Sequence, residues 1–268
     1  MYRKLLQHLE ELFKRIKIVI FFLIVFLLFY MIIGFHISNL YGLYLPIPYI
    51  SIFSSSAIEF LKFVLNSEIP KGLLVINVNV YGPILADITA DLFLAILTTS
   101  PLITYEILLF VYPGLRKKER KTLRNALLPA VILFFAGVFI SFKFLIPFIL
   151  KAVLLFAKAM SIQPTISISS FISMALWFTV GVGIAFELPV IMAGLTSAGI
   201  VRYSTWKRYW RYGILVSFVI ALVISPGTSG GLIELTIGFI FSGLYLSGIV
   251  AAKFIERKIN NREARKEK

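Results

Sequence analysis

Cysteine is absent from the 268 residues, which excludes disulfides, thiol nucleophiles and cysteine metal sites. Histidine occurs only at His8 and His36, far apart in the chain, so no histidine metal site is expected. The sequence has no HExxH, no P-loop, no serine–histidine arrangement and no paired aspartates of an intramembrane protease. The expectation is therefore a protein with no catalytic residues, no metal and no cofactor. Acidic residues are scarce as well, 13 against 27 Lys and Arg, a formal net charge of +14. So basic a chain suggests nucleic acid, but the placement of the bases argues against it. Twenty-two of them fall in four short segments, namely residues 1–17, 116–124, 202–211 and the tail from Lys253. Long apolar stretches separate these segments, so the charge marks one side of a membrane and fits attraction to anionic headgroups.

Apolar residues are what the chain has in excess. They make up 59% of it, and the mean hydropathy is +0.91. A soluble domain is usually about 45–50% apolar, and several runs here approach or exceed the ~18 residues that identify a membrane helix. The fold class expected is an all-α integral membrane protein with six spans and both termini on the cytoplasmic side. The spans are placed at about 18–37, 83–111, 125–146, 171–198, 212–224 and 232–252, within a single membrane domain of residues 1–268. Residues 1–17 precede them as an amphipathic helix, with Glu10→Lys14 and Glu11→Arg15 at i, i+4 spacing. The mixed charges there, with no small-residue cleavage site, fit a first helix that stays in the membrane.

Residues 38–82 are expected to fold as a cap on the outer face. It holds a short amphipathic helix over 54–65, with Ile58, Leu61 and Leu65 on one stripe, and a strand-like alternation from Leu73 to Tyr81. The cytoplasmic loops are residues 112–124 and 199–211, and a basic tail covers 253–268. The fifth span, at 13 residues, reaches only ~20 Å at ~1.5 Å per residue, short of the ~30 Å hydrocarbon core.

A few polar residues stand out against this background. Glu187 lies mid-span beside Pro189, which frees a backbone carbonyl one turn earlier. An acid in that position either makes a structural hydrogen bond between helices or faces a polar cavity. Glu119 is a lone carboxylate in a run of bases, and Glu11 lies near Arg15; each is either a local ion pair or a receptor for a cationic ligand. Carboxylates suit arginine, because each can accept two parallel guanidinium hydrogen bonds. Asp87 and Asp91, one turn apart near the outer start of the second span, are expected in water. Glu106 and Lys143 lie toward opposite faces and are not paired, and Glu234 opens the last span.

Taken together, the motifs resemble the TatC family, the multispanning receptor of the twin-arginine protein translocase. His8-Leu9-Glu10-Glu11-Leu12-Phe13-Lys14-Arg15 is similar to the family's HLxELRxR. Ser100-Pro101-Leu102-Ile103-Thr104-Tyr105 and the stretch from Phe110 to Arg120 match in register, the second to FxxPxLxxxER. Gly181 to Pro189 matches FGxxFExP, and Pro129, Gly137 and Pro147 fall where the family has prolines and glycines. The chain departs from the family at Phe13, where an arginine is usual, and at Gly227 and Gly231 of the last outer turn, where an aspartate and a glutamine are usual.

The resemblance implies a non-enzymatic receptor in the cell membrane that binds twin-arginine signal peptides of folded cargo. It implies contacts from Glu11 and Glu119, with His8, Leu12, Phe110 and Arg120 from the same motifs. It further implies TatA/TatB-type single-span partners, self-association, transport driven by the proton motive force, partner docking near Glu187 and Pro189, and an outer-loop structural role for Pro48. The competing reading is an ion-coupled secondary transporter that uses Glu187, although no inverted repeat supports it.

Overall fold

The computed structural model describes residues 2–40, 43–50, 56–70, 72–111, 117–197, 199–224 and 231–264. Helix α1 (Tyr2–Ile32) is followed by the hairpin β1 (Ile33–Leu40) and β2 (Leu43–Ile50), then α2 (Ser56–Glu68) and β3 (Leu74–Ile76). The long helices α3 (Gly82–Val111) and α4 (Lys117–Ile140) come next, and a π-helical segment, Ser141–Leu145, joins α4 to α5 (Ile146–Ala159). After β4 (Thr165–Ser167) come α6 (Ile168–Phe186), α7 (Leu188–Ser197), α8 (Tyr203–Arg208), α9 (Trp210–Ile224) and α10 (Leu232–Ala264). Among the described residues five helical stretches are long and apolar enough to cross a membrane, and Trp210–Ile224 is a shorter sixth.

Several limits differ from those expected. α1 is one helix from Tyr2 that stops at Ile32, five residues before the expected end of the first span, because β1 takes up the chain at Ile33. The third span does not end at residue 146. Pro147 cannot donate to the carbonyl four residues back, and its ring crowds that carbonyl; the wider π-turn just before it lets the helix continue to Ala159. Lys151 and Lys158 are therefore on α5. α10 runs through most of the expected tail to Ala264.

The chain divides into two compact units, residues 1–103 with 142–180, and residues 104–141 with 181–268. The first unit carries the two small sheets. β1 and β2 pair antiparallel with Ile33 opposite Ile50 and Leu40 opposite Leu43. Pro46 and Pro48 lie opposite Ile37 and Phe35; being two apart, they direct their missing donors the same way, off the ladder, as an edge strand permits. β3 pairs parallel with β4, Leu74 opposite Thr165, so the expected strand from Leu73 to Tyr81 shrinks to three residues.

α2 starts two residues later than expected and buries Ala57, Leu61 and Val64, which places its apolar stripe one position from the expected one. Phe60 of α2 stacks on Phe93 of α3 at 5.6 Å, and both meet Phe142 edge-on. The hydroxyls of Tyr30 and Thr98 lie 2.6 Å apart and tie α1 to α3. The outer faces of α1 keep Phe13, Phe21 and Leu28 more than half exposed, as a lipid-facing helix requires.

In the second unit α10 packs along α7 and α9, and α4 packs on α7. Without a hydrophobic force between helices in lipid, close approach depends on small residues. Gly248 of α10 supplies one. A Cβ there would overlap the Met192 side chain and lie 3.3 Å from the Pro189 Cα.

Candidate functional site

Two sets of expected site residues are on the described chain. Glu11 sits on α1 in the first unit. Its Oε1 accepts a hydrogen bond of 2.6 Å from Arg15 Nη2, and the two side chains keep 30% and 19% of their surface exposed. The i, i+4 ion pair foreseen as the structural alternative is thus formed, with part of the carboxylate still open. Leu12 beside it is half-buried, whereas Phe13, which stands where the family arginine is usual, is 59% exposed. His8 lies on the same helix, and its side chain is outside the described residues.

Glu119 and Arg120 are in the first turn of α4, and Phe110 is next to last in α3; the side chains of all three are outside the described residues, as are residues 112–116 between the helices. Helix α4 begins at Lys117, so most of the expected loop 112–124 is helical. Pro48 is in β2, with its side chain also outside the described residues. The turn before α10, with Gly227, lies outside them too, except for Gly231 at its end.

Glu187 is the residue between α6 and α7. Pro189 has no N–H to give to the Ala185 carbonyl, so the α6 ladder stops and α7 restarts, with Val190 and Ile191 donating to the Glu187 carbonyl at 3.0 Å. At this break the half-buried Glu187 side chain accepts a hydrogen bond from Thr104 Oγ1 at 3.0 Å. Thr104 belongs to the Ser100–Tyr105 motif, so two of the four matched motifs meet in the second unit. Pro189 is buried against α10. A second proline is compensated differently. Pro101 releases the Leu97 carbonyl, and Ser100 Oγ donates to it at 2.8 Å.

Asp91 corrects the expectation of a watery setting. It is 1% exposed, on the α3 face that also buries Ala95 one turn on, and its Oδ1 has no hydrogen-bond partner among the described residues. Thr99 Oγ1, two turns further along, is likewise unpartnered there. Glu106 and Glu234 are also buried. A pair of aspartates at i, i+4 reads from sequence as a solvated helix start, and only packing shows which of the two turns inward. Among the described residues no group of acids and histidines is placed to hold a metal ion.

These features define a helical, multi-pass membrane protein with polar side chains inside its apolar helices, two of them, Glu187 and Ser100, at prolines. Residues 7–251 match the family described as Sec-independent protein translocase protein (TatC). The chain belongs to that family: it is a component of a protein translocase and not an enzyme. It is 30% identical over 190 residues to the Sec-independent protein translocase protein TatC of Cenarchaeum symbiosum, covering 71% of this chain and 72% of that one. It is 27% identical over 260 residues to TatCy of Bacillus subtilis, covering 97% and 92%. The fold resembles a crystal structure of the twin-arginine translocase receptor TatC with a TM-score of 0.74 at 23% identity, over 92% of this chain and 99% of that one.

Proposed function

We propose that this chain is the receptor subunit of a twin-arginine translocase in the cytoplasmic membrane, with both termini in the cytoplasm. It binds the signal peptides of folded cargo through Glu11 and Glu119, aided by His8, Leu12, Phe110 and Arg120. It gathers TatA/TatB-type single-span subunits near Glu187 and Pro189, associates with further copies of itself, and works on the proton motive force. The observation that carries the reading is the state of Glu11. Its carboxylate already holds a guanidinium, that of Arg15, while keeping 30% of the side chain open. An incoming arginine can replace or join Arg15 on this carboxylate, and a planar guanidinium fits a carboxylate better than an ammonium does. The transporter alternative is less well supported, because Thr104 already gives Glu187 a structural partner.

The test is binding of a synthetic signal peptide to the purified protein in detergent, Arg-Arg against Lys-Lys. The expected result is a clear preference for Arg-Arg that falls at least tenfold in Glu119→Ala and in Glu11→Ala, about 1.4 kcal/mol or more. Unchanged binding in the double variant would refute the receptor assignment of these acids.

A further inference from the structure

Helix α5 presents one face that the described fold leaves open. Residues 127–159 are one helical stretch of 33 residues, ~50 Å at ~1.5 Å per residue. A ~30 Å core crossed at the usual tilt of ~20° takes up about 21 of them. The basic residues of 117–124 hold the near end at one membrane surface, so the excess emerges on the opposite side, from about residue 148 onward. There large apolar side chains are no longer needed to face lipid.

The inward face of α5 is settled: Ile146, Ile149, Leu150 and Ala152 are buried. The opposite face is Phe148, Lys151, Leu155 and Lys158, all exposed, Leu155 by 67%. Their alternating spacing of three, four and three is that of the seam along which two helices supercoil. Large apolar residues exposed outside a membrane mark an interaction surface, and Met160, just past the helix, extends this one. The two lysines are a heptad apart, and neither has an ion pair among the described residues. No acid occurs from Arg120 to Phe186, so the surrounding sequence supplies no counter-charge.

A second copy of the chain does not fit this seam. Two copies in one membrane carry α5 parallel, which sets Lys151 against Lys151 and Lys158 against Lys158, and like charges opposed in an interface are strongly unfavourable. A lipid surface does not fit it either, because a helix that stands out of the membrane does not lay its face along it. We propose that α5 docks an amphipathic helix of another protein on this side of the membrane, one with Asp or Glu a heptad apart and apolar residues between. Phe148 and Leu155 pack against the apolar positions of that helix. The lysine stems lie along it, and their ammonium groups meet the two carboxylates.

The experiment uses the full-length protein in phosphatidylcholine nanodiscs and a fluorescent synthetic helix of about three heptads whose seam alternates Leu with Glu. The comparison is the same helix with Lys in place of Glu, and empty nanodiscs are the blank. No signal peptide is present, so the outcome is independent of the receptor reading. In an anisotropy titration the Glu helix should bind about tenfold or more tighter than the Lys helix. Lys151→Glu combined with Lys158→Glu should reverse the preference, and Leu155→Gln should weaken binding several-fold at unchanged circular dichroism. Equal binding of the two helices, or a preference that survives the charge reversal, overturns the proposal. Because the chain has no cysteine, a nitroxide can be attached to a Leu155→Cys variant at that position alone. In vesicles without peptide it should collide more often with an aqueous nickel complex than with dissolved oxygen. The reverse order places Leu155 in lipid, and dipolar broadening between nitroxides places it against a second copy; either result overturns the proposal.

Discussion

At the scale of single residues, the molecule turns on how each polar group inside the apolar helices is satisfied. Glu187 is accounted for by one hydroxyl, Thr104, and that gives a definite expectation. In a double-mutant cycle of Thr104→Val and Glu187→Ala, followed by thermal or chemical unfolding in detergent, the two should be coupled by about 0.6 kcal/mol and at most ~1.7, the range found for hydrogen bonds between membrane helices. Additivity within ~0.3 kcal/mol would mean that the bond contributes nothing. Glu187 was legible in the sequence because an acid beside a proline in an apolar run is conspicuous. Its partner was not, since 83 residues separate the two and a threonine in a span carries no signal of its own. Asp91 was misread for a related reason. Neighbouring positions on a helix differ by about 100° in direction, so spacing alone shows which residues share a face with Asp91 and not whether that face is wet.

At the scale of elements, whether a proline stops a helix depends on what replaces its lost hydrogen bond. Pro189 ends α6, Pro147 is accommodated by a π-turn, and Pro101 leaves α3 continuous because Ser100 caps the freed Leu97 carbonyl. Ser100→Ala should therefore destabilise the protein by about 1–3 kcal/mol, the cost of a buried acceptor left unmet. In a Pro101→Ala background, where the backbone N–H returns, the same substitution should cost much less; a thermal melt of the four proteins checks this, and an equal cost in both backgrounds would rule out the capping role. The sequence shows the prolines but not the remedies, which is why the third span looked finished at residue 146. It also could not place the end of α1, because Ile33 to Leu40 is apolar enough to continue a helix and becomes a strand only through pairing with Leu43–Ile50. The long spans were easier to read, since 20 or more apolar residues admit few alternatives in a membrane.

At the scale of the whole molecule, charge and span length are set by the bilayer rather than by contacts within the chain. The four basic segments alternate with apolar stretches, a pattern legible from sequence because orientation depends on Lys and Arg counts in short loops. Span length has a stronger consequence. α9 has 15 residues, ~22 Å at ~1.5 Å per residue, and packs along α10, whose uncharged stretch from Leu235 to Ala252 reaches ~27 Å. A ~30 Å core cannot suit both, and the mismatch costs fractions of a kcal/mol per Å, so lipid must thin beside α9 or α10 must tilt. Since the cost falls as lipid chains shorten, the protein reconstituted in phosphatidylcholine vesicles should melt at its highest temperature in thin bilayers and lose stability steadily as the chains lengthen. Inserting four residues, Leu-Ala-Leu-Ala, after Val219 adds about 6 Å to α9 and should move that optimum to longer lipids. An optimum that stays in place after the insertion would mean that α9 is shielded from lipid by its neighbours and does not set the thickness the protein prefers.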